Sequence, residues 1–236
     1  MSCQICELRK EKRFCPAVHG RICAQCCGEQ REVTIDCPSE CVYLQQAREH
    51  EKPRDANDLD RAAMFPDVEI GEQFLYEREE LILGLSFALA KCARSGGALG
   101  AALYSTAGDG SAGNRALTDR DLIGALTSLA QSYRTLVESS LIYEQAPANL
   151  AQQQVAREVE TMVKEFREAE TKHLGYSRLR DSEVLKALVF LLRMGISRTS
   201  GRPKSRAFVD FLFAQFPEKA SSIAAPEEAG GRIIVP

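Results

Sequence analysis

The chain of 236 residues has no tryptophan and only three histidines, and it lacks a long apolar run. A membrane span needs about 18 consecutive apolar residues, so we expect no transmembrane segment. Residues 2–13 are polar and charged with no apolar stretch behind them, which is not typical of a secretory signal. We therefore expect a soluble protein of the cytoplasm, where cysteine thiols stay reduced.

The shortage of histidine also limits the catalytic chemistry that the chain could support. No Ser-His-Asp or Cys-His set can be assembled from His19, His50 and His173. Glu170 and His173 stand three residues apart, but a di-metal helical bundle needs two such Glu-x-x-His motifs and the chain has one. We therefore expect a protein that is not an enzyme.

Cysteine is concentrated at one end of the chain, because eight of the nine cysteines lie between residues 3 and 41. With His19 they form four pairs, each separated by two or three residues: Cys3/Cys6, Cys15/His19, Cys23/Cys26 and Cys37/Cys41. Such spacing lets a short turn direct both side chains at one tetrahedral ion. Two Zn²⁺ ions need eight ligands, so the pattern predicts two closed, structural zinc sites. Cys27 is the spare thiol and an alternative to Cys26.

The order of the four pairs is compatible with two arrangements. In a cross-brace, the first and third pairs hold one ion and the second and fourth hold the other. In a sequential arrangement, the first two pairs share one ion and the last two share the other. A disulfide framework is disfavoured because no secretory signal is visible, and an iron–sulfur cluster fits the position of His19 less well than zinc does.

Over residues 3–41 this ligand order resembles the cross-brace or treble-clef zinc fingers of the B-box, RING and HIT type. It departs from the B-box pattern at its last pair, where Cys37 and Cys41 stand in place of histidines. Because those families mostly mediate contacts between proteins, the resemblance implies a zinc head that presents a rigid surface to a protein partner. We expect an adaptor of this kind.

The remainder of the chain predicts an all-α helical bundle. We expect the zinc-binding module, called here the head, at residues 1–50 and a charged linker at 51–68. The helical domain follows at 69–217 with a flexible Gly/Ser/Ala loop at 95–114, and a disordered tail occupies 218–236. Four later helices are predicted from apolar spacing and capping residues: from Thr118 to about 143, about 149–172, from Asp181 or Ser182 onward, and about 205–216.

One segment outside the head is strongly basic. Residues 198–206, called here the basic loop, contain four basic side chains and no acidic one between two predicted helices. Because the next helix begins near Lys204 or Ser205, its free N–H groups could bind an anion together with Arg202, Lys204 and Arg206. The alternative function is therefore a nucleic-acid-binding regulator.

That regulator would combine the basic loop with the basic side chains of the head: Arg9, Lys10, Lys12, Arg13, Arg21 and Arg31. The charge of the head argues against it. Residues 1–52 contain eight Lys and Arg against eight Asp and Glu, which gives no net positive charge.

Overall fold

The structure is a computed structural model that describes residues 2–51, 62–104, 116–141 and 145–217, with the backbone alone for residues 96–104. The predicted tail at 218–236 lies outside the described residues. Among the described residues, no helix is both long enough and apolar enough to cross a membrane.

The head consists of two short strands and two helices around its cysteines. Strands β1 (Arg13–Cys15) and β2 (Gly20–Ile22) pair antiparallel, with Phe14 opposite Arg21. Helix α1 (Ala24–Gln30) follows at once, and helix α2 (Val42–His50) ends the head. The sequence-based prediction gives no helix at α1. This helix has no apolar stripe to reveal it, since its buried residue is Cys26.

Helix α1 is fixed at its start by a cysteine. Cys23 occupies the N-cap position with an extended backbone, and its sulfur accepts a hydrogen bond from the N–H of Cys26. The sulfur thereby takes the part that a serine or aspartate oxygen plays at an ordinary helix start.

The helical domain contains six helices among the described residues, and they confirm the mostly helical architecture. Their bounds are α3 (Glu72–Glu77), α4 (Glu79–Tyr104), α5 (Asp119–Ser139), α6 (Leu150–Leu174), α7 (Asp181–Arg198) and α8 (Ala207–Gln215). Helix α7 packs mainly on α5, and α4 packs mainly on α6. Leu188, Leu191 and Leu192 of α7 are fully buried, which places this helix at the centre of the bundle.

Local signals explain where several helices begin and end. Asp121 accepts a hydrogen bond from the backbone N–H of Thr118 at 3.0 Å, which closes the reciprocal cap at the start of α5. Asn149 caps α6 by accepting from the N–H of Gln152 at 2.9 Å. The same helix ends at Gly175, whose φ of 82° is a left-handed conformation that glycine adopts without strain.

Two boundaries differ from the sequence-based prediction. The second half of the predicted linker belongs to the helical domain, because Phe65 is 3% exposed within its core. Arg193 of α7 also donates to the carbonyls of Met64, Phe65 and Val68. The predicted loop at 95–114 begins too early, since α4 continues to Tyr104. Alanine and leucine in this stretch favour the helix against its glycines.

Candidate metal centre

The β-hairpin brings the beginning of the chain next to the start of α1. The N–H of Cys3 donates to the carbonyl of Arg9 at 2.8 Å, which closes the N-terminal turn. The N–H of Gln4 donates to the carbonyl of Arg21 at 3.1 Å, which ties this turn to β2. Because β2 leads directly into Cys23, the turn and the first residues of α1 are held side by side.

Four thiols meet at this junction. Cys3, Cys6, Cys23 and Cys26 each offer a sulfur, and these atoms all lie within 4.8 Å of one another. A tetrahedral zinc ion with Zn–S bonds of about 2.3 Å would hold its sulfurs about 3.8 Å apart, so the spacing suits such an ion. All four cysteines are free thiols, and three of them are buried. The cluster is compatible with a zinc site, and we call it the four-cysteine cluster.

The backbone around the cluster favours thiolates at two positions. The N–H of Cys23 donates to the sulfur of Cys3 at 3.1 Å. Burial acts to raise the pKa of Cys3, but hydrogen bonds from the backbone N–H groups of Cys6, Cys23 and Ile5 outweigh it and lower this pKa to about 6. The N–H of Cys26 lowers the pKa of Cys23 in the same way.

The pKa of Cys26, unlike those of Cys3 and Cys23, is raised in the cluster. Burial, together with the adjacent sulfurs of Cys23, Cys6 and Cys3, raises the pKa of Cys26 to about 12. A divalent cation supplies the positive charge that four neighbouring thiolates need, because metal binding displaces thiol protons. The donor set therefore fits Zn²⁺.

Cys27 does not belong to the four-cysteine cluster, although it follows Cys26 directly. Its sulfur accepts a hydrogen bond from the guanidinium of Arg13 at 3.4 Å, on the side of the hairpin. The structure thus distinguishes the two thiols that the sequence left open, and Cys26 is the one that joins Cys3, Cys6 and Cys23.

The cluster joins the first and third pairs of the sequence, which is the grouping that a cross-brace requires for its first ion. The other four predicted ligands are Cys15, His19, Cys37 and Cys41. In the described part of the chain they do not form a second group as tight as the first. Burial raises the pKa of Cys37 against a hydrogen bond from the backbone of Glu32, and the charges of Cys41 and Cys15 act in the same direction as burial. Cys37 also packs against the buried cluster of the head that contains Cys15. His19 is exposed on the hairpin turn with a φ of 51°.

The basic loop lies against the head. Arg202 donates to the carbonyl oxygens of Gly28 and Arg31 at 3.2 and 2.7 Å, at the end of α1. Lys204 donates its side chain to the carbonyl of Thr34 at 2.6 Å. Two of the three predicted anion ligands therefore hold backbone oxygens of the head. Anion binding by Arg202, Lys204 and Arg206 stays a prediction, and an anion would compete with these contacts.

The start of α8 already holds a carboxylate of the same chain. Asp119 is fully buried, and its Oδ1 atom accepts from the N–H groups of Phe208 and Val209 at 3.0 and 3.1 Å. Its Oδ2 atom accepts from the hydroxyl of Ser205 at 2.7 Å. The N–H groups that the sequence suggested for an external anion thus bind an internal one, as expected at a helix N-terminus.

A second set of contacts joins the head to the helical domain. Glu32, which is 2% exposed, accepts from Arg48 at 2.9 Å and from Ser200 at 3.0 Å. Arg48 also donates to Asp210 on α8 at 2.6 Å, and Ser39 donates to the same carboxylate at 2.6 Å. Asp210 of the helical domain therefore binds Arg48 and Ser39 of the head, while Glu32 of the head binds Ser200 of the basic loop.

Sequence reasoning missed these interface residues. Glu32, Arg48, Asp119 and Asp210 read as ordinary charged side chains of loops and helix ends. The bond between Ser200 and Glu32 spans 168 residues of chain and the bond between Ser205 and Asp119 spans 86, so no local pattern points to either.

The chain was compared with known proteins by sequence and by structure. No protein-family model matches the chain, and no curated protein or solved structure is significantly similar to it.

Proposed function

We propose that the protein is a zinc-binding adaptor whose head carries two structural zinc ions and presents a surface to a protein partner. The observation that carries the proposal is the four-cysteine cluster. Four thiolates fill the tetrahedral shell of Zn²⁺ and leave no position for a water or substrate, so the first ion would stabilise the fold. Free thiolates also require a reducing compartment.

The second ion would be held by Cys15, His19, Cys37 and Cys41, which completes the cross-brace. The packing of Cys37 against the buried head cluster that contains Cys15, and the four-residue step from Cys37 to Cys41, support this assignment. His19 already lies on the same hairpin as Cys15, four residues further along the chain. Binding of a second ion would need Cys15, Cys37 and Cys41 to draw closer together as well as the imidazole of His19 to turn toward them.

The surface of the head supports a protein partner. Leu8, Phe14 and Val42 are 88%, 56% and 58% exposed, and Val18 and Val33 are also exposed. These are large apolar side chains on a small module, and such residues mark contact sites when they lie on one rigid surface. A zinc-stabilised head would hold them in fixed positions.

Elemental analysis tests the metal part of the proposal. We expect about two zinc ions per chain in protein purified under reducing conditions. Fewer than one ion per chain, with eight thiols reacting freely with a thiol reagent, would overturn it.

Quantitative pull-down tests the adaptor part. We expect proteins that co-purify with the native chain to be lost with the double variant Leu8→Ser and Phe14→Ser, because it removes apolar contact area without touching a thiol. Leu174→Ser, at an exposed apolar residue of α6, is the matched control and should retain them. An identical set of captured proteins with all three chains would contradict the role of the head.

The nucleic-acid alternative has less support. Arg13 lies over the ring of Tyr43 at 4.6 Å and binds Cys27, and Arg21 pairs with Glu11 at 3.3 Å. With Arg202 and Lys204 bound to the head, much of the predicted basic surface is already partnered within the chain. Binding of a DNA or RNA oligonucleotide at low salt, weakened steeply by added salt, would favour this alternative.

A further inference from the structure

Helix α1 connects the four-cysteine cluster to the interface with the helical domain. Its first turn contains Cys26 and is capped by Cys23, so two of the four clustered thiols hold this end. At its other end, Arg202 binds the carbonyls of Gly28 and Arg31. The cluster and the docking contacts therefore lie at opposite ends of one helix of 7 residues.

Glu32, two residues beyond the end of α1, makes two further contacts across the interface. The carbonyl of Glu32 accepts from the backbone N–H of Lys204 at 2.8 Å, and its carboxylate accepts from Ser200 at 3.0 Å. Glu32 has a φ of 53°, a left-handed conformation that a glutamate adopts only when its surroundings hold it there. Both contacts thus depend on the exact course of the chain where α1 ends.

A helix this short does not persist by itself. Helix initiation is unfavourable, and isolated helices below about 12 residues are marginal in water. Helix α1 has no apolar stripe to secure it by packing, since Cys26 is its buried residue. Its stability must come from its two ends, and the stronger of these is a metal-filled cluster.

We propose that metal occupancy of the four-cysteine cluster controls docking of the head onto the basic loop. This inference rests on the proposed function, because it requires a metal ion in the cluster. When the metal leaves, α1 unfolds, the carbonyls of Gly28, Arg31 and Glu32 lose their positions, and the loop at 198–206 is released. The cations of Arg202 and Lys204 then become available to solvent and to anionic ligands.

Amide hydrogen exchange resolved to single residues tests the coupling. The N–H of Lys204 is a specific reporter, because its acceptor is Glu32 of the head. The N–H of Val184 is the control, because it donates to the carbonyl of Arg180 at 3.1 Å in the buried first turns of α7, away from the head. Removal of zinc with a chelator should accelerate exchange at Lys204 by at least roughly tenfold and leave Val184 nearly unchanged.

Two variants of the basic loop separate docking from metal binding. Arg202→Ala should accelerate exchange at Lys204 even in zinc-loaded protein, because it removes both bonds to the end of α1. Arg198→Ala is the matched control, since Arg198 stacks on Phe211 at 3.6 Å within the helical domain. It should leave Lys204 protected, and both variants should keep the zinc content of the native chain.

The outcomes separate this inference from the function on which it rests. If the protein binds no zinc, the proposed function fails and the coupling fails with it. If zinc binds and is removed while exchange at Lys204 stays slow, only the coupling is overturned. Equal acceleration at Lys204 and Val184 also overturns it, because the chain would then unfold as one unit.

Discussion

The head and the helical domain are held together by different means. In the helical domain, a continuous core of leucine, valine and alanine packs around the central helix α7. In the head, the buried apolar cluster consists of cysteines with Ile22 and Ile35. A leucine core folds through the area that it removes from water, whereas the head, a segment of about fifty residues with little buried apolar surface, would be stabilised by the metal that we propose for its four-cysteine cluster. The proposed function thus gives one chain two sources of stability, which should be open to separate disruption.

The largest expected effect comes from removing a thiol of the cluster. Cys23→Ser should unfold the head, because structural zinc in finger peptides contributes on the order of 10–16 kcal/mol per site. Elemental analysis measures the loss of zinc, and the dispersion of the head amide signals in NMR spectra measures the loss of structure.

Cys27→Ser is the matched control for that change, since Cys27 lies in the same helix but outside the cluster. It should keep both the zinc and the fold of the head. If Cys27→Ser is as damaging as Cys23→Ser, the assignment of the cluster is wrong.

A cavity in the core of the helical domain should lower stability by a smaller amount and affect that domain alone. Leu188→Ala should lower the free energy of unfolding by about 2–5 kcal/mol, because Leu188 is fully buried in α7. Urea denaturation followed by far-UV circular dichroism measures it. Leu150→Ala, at an exposed position of α6, should change it little. A loss of zinc from Leu188→Ala would contradict the separation of the two regions.

Asp119 tests a polar contact that supports the side of the helical domain facing the head. Asp119→Ala leaves the N–H groups of Phe208 and Val209 without their acceptor, so we expect a loss of about 1–3 kcal/mol in unfolding free energy. Asp67→Ala is the control, because Asp67 forms a half-exposed pair with Arg134 and such pairs contribute less than about 1 kcal/mol. If Asp119→Ala and Asp67→Ala lower the free energy of unfolding equally in thermal denaturation, the buried contacts of Asp119 stabilise the fold no more than an exposed ion pair does.

The smallest expected effect depends on pH. Burial acts to raise the pKa of Glu170, but hydrogen bonds from Ser177, Leu179 and Arg178 and the charge of Arg78 outweigh it and lower this pKa below its usual 4.5. A lowered pKa in the folded state means that the carboxylate stabilises the fold above pH 4.5, and that this contribution disappears as the pH falls through the lowered pKa.

Glu170→Gln should therefore cost about 1 kcal/mol at pH 7 and less at lower pH, as urea denaturation at several pH values would measure. Glu168→Gln, at an exposed position of the same helix, should cost little at any pH. A difference between native chain and Glu170→Gln that grows as the pH falls would contradict the assignment.

Structural features that depend on residues close together in the chain could be predicted from the sequence. The start of α5 at Thr118 follows from its capping residue, and the helix at about 149–172 follows from apolar spacing; the structure has α5 capped at Thr118 and α6 at Leu150–Leu174. The pairing of Cys3/Cys6 with Cys23/Cys26 was one of two arrangements that the spacing allowed, and the hairpin between them selects it.

Features that depend on distant parts of the chain were not predictable. The docking of the basic loop on the head could not be seen in the sequence, because its internal acceptors, the carbonyls of Gly28 and Arg31, lie more than 170 residues away. Helix α1 was missed because a helix held by its ends needs no amphipathic pattern. The inclusion of residues 62–68 in the helical domain depends on Arg193, which is again remote in sequence.

The contact between Glu32 and Ser200 also bears on how the protein is made. These residues are 168 positions apart, and a ribosome adds roughly 5–20 residues per second, so the head waits on the order of ten to thirty seconds for its docking surface to be synthesised. During that interval the nascent head is exposed, with Glu32 lacking its partner Ser200 and the apolar side chains of Leu8 and Phe14 accessible to chaperones. Early loading of zinc would protect the head during this wait, and docking would be among the last steps of folding.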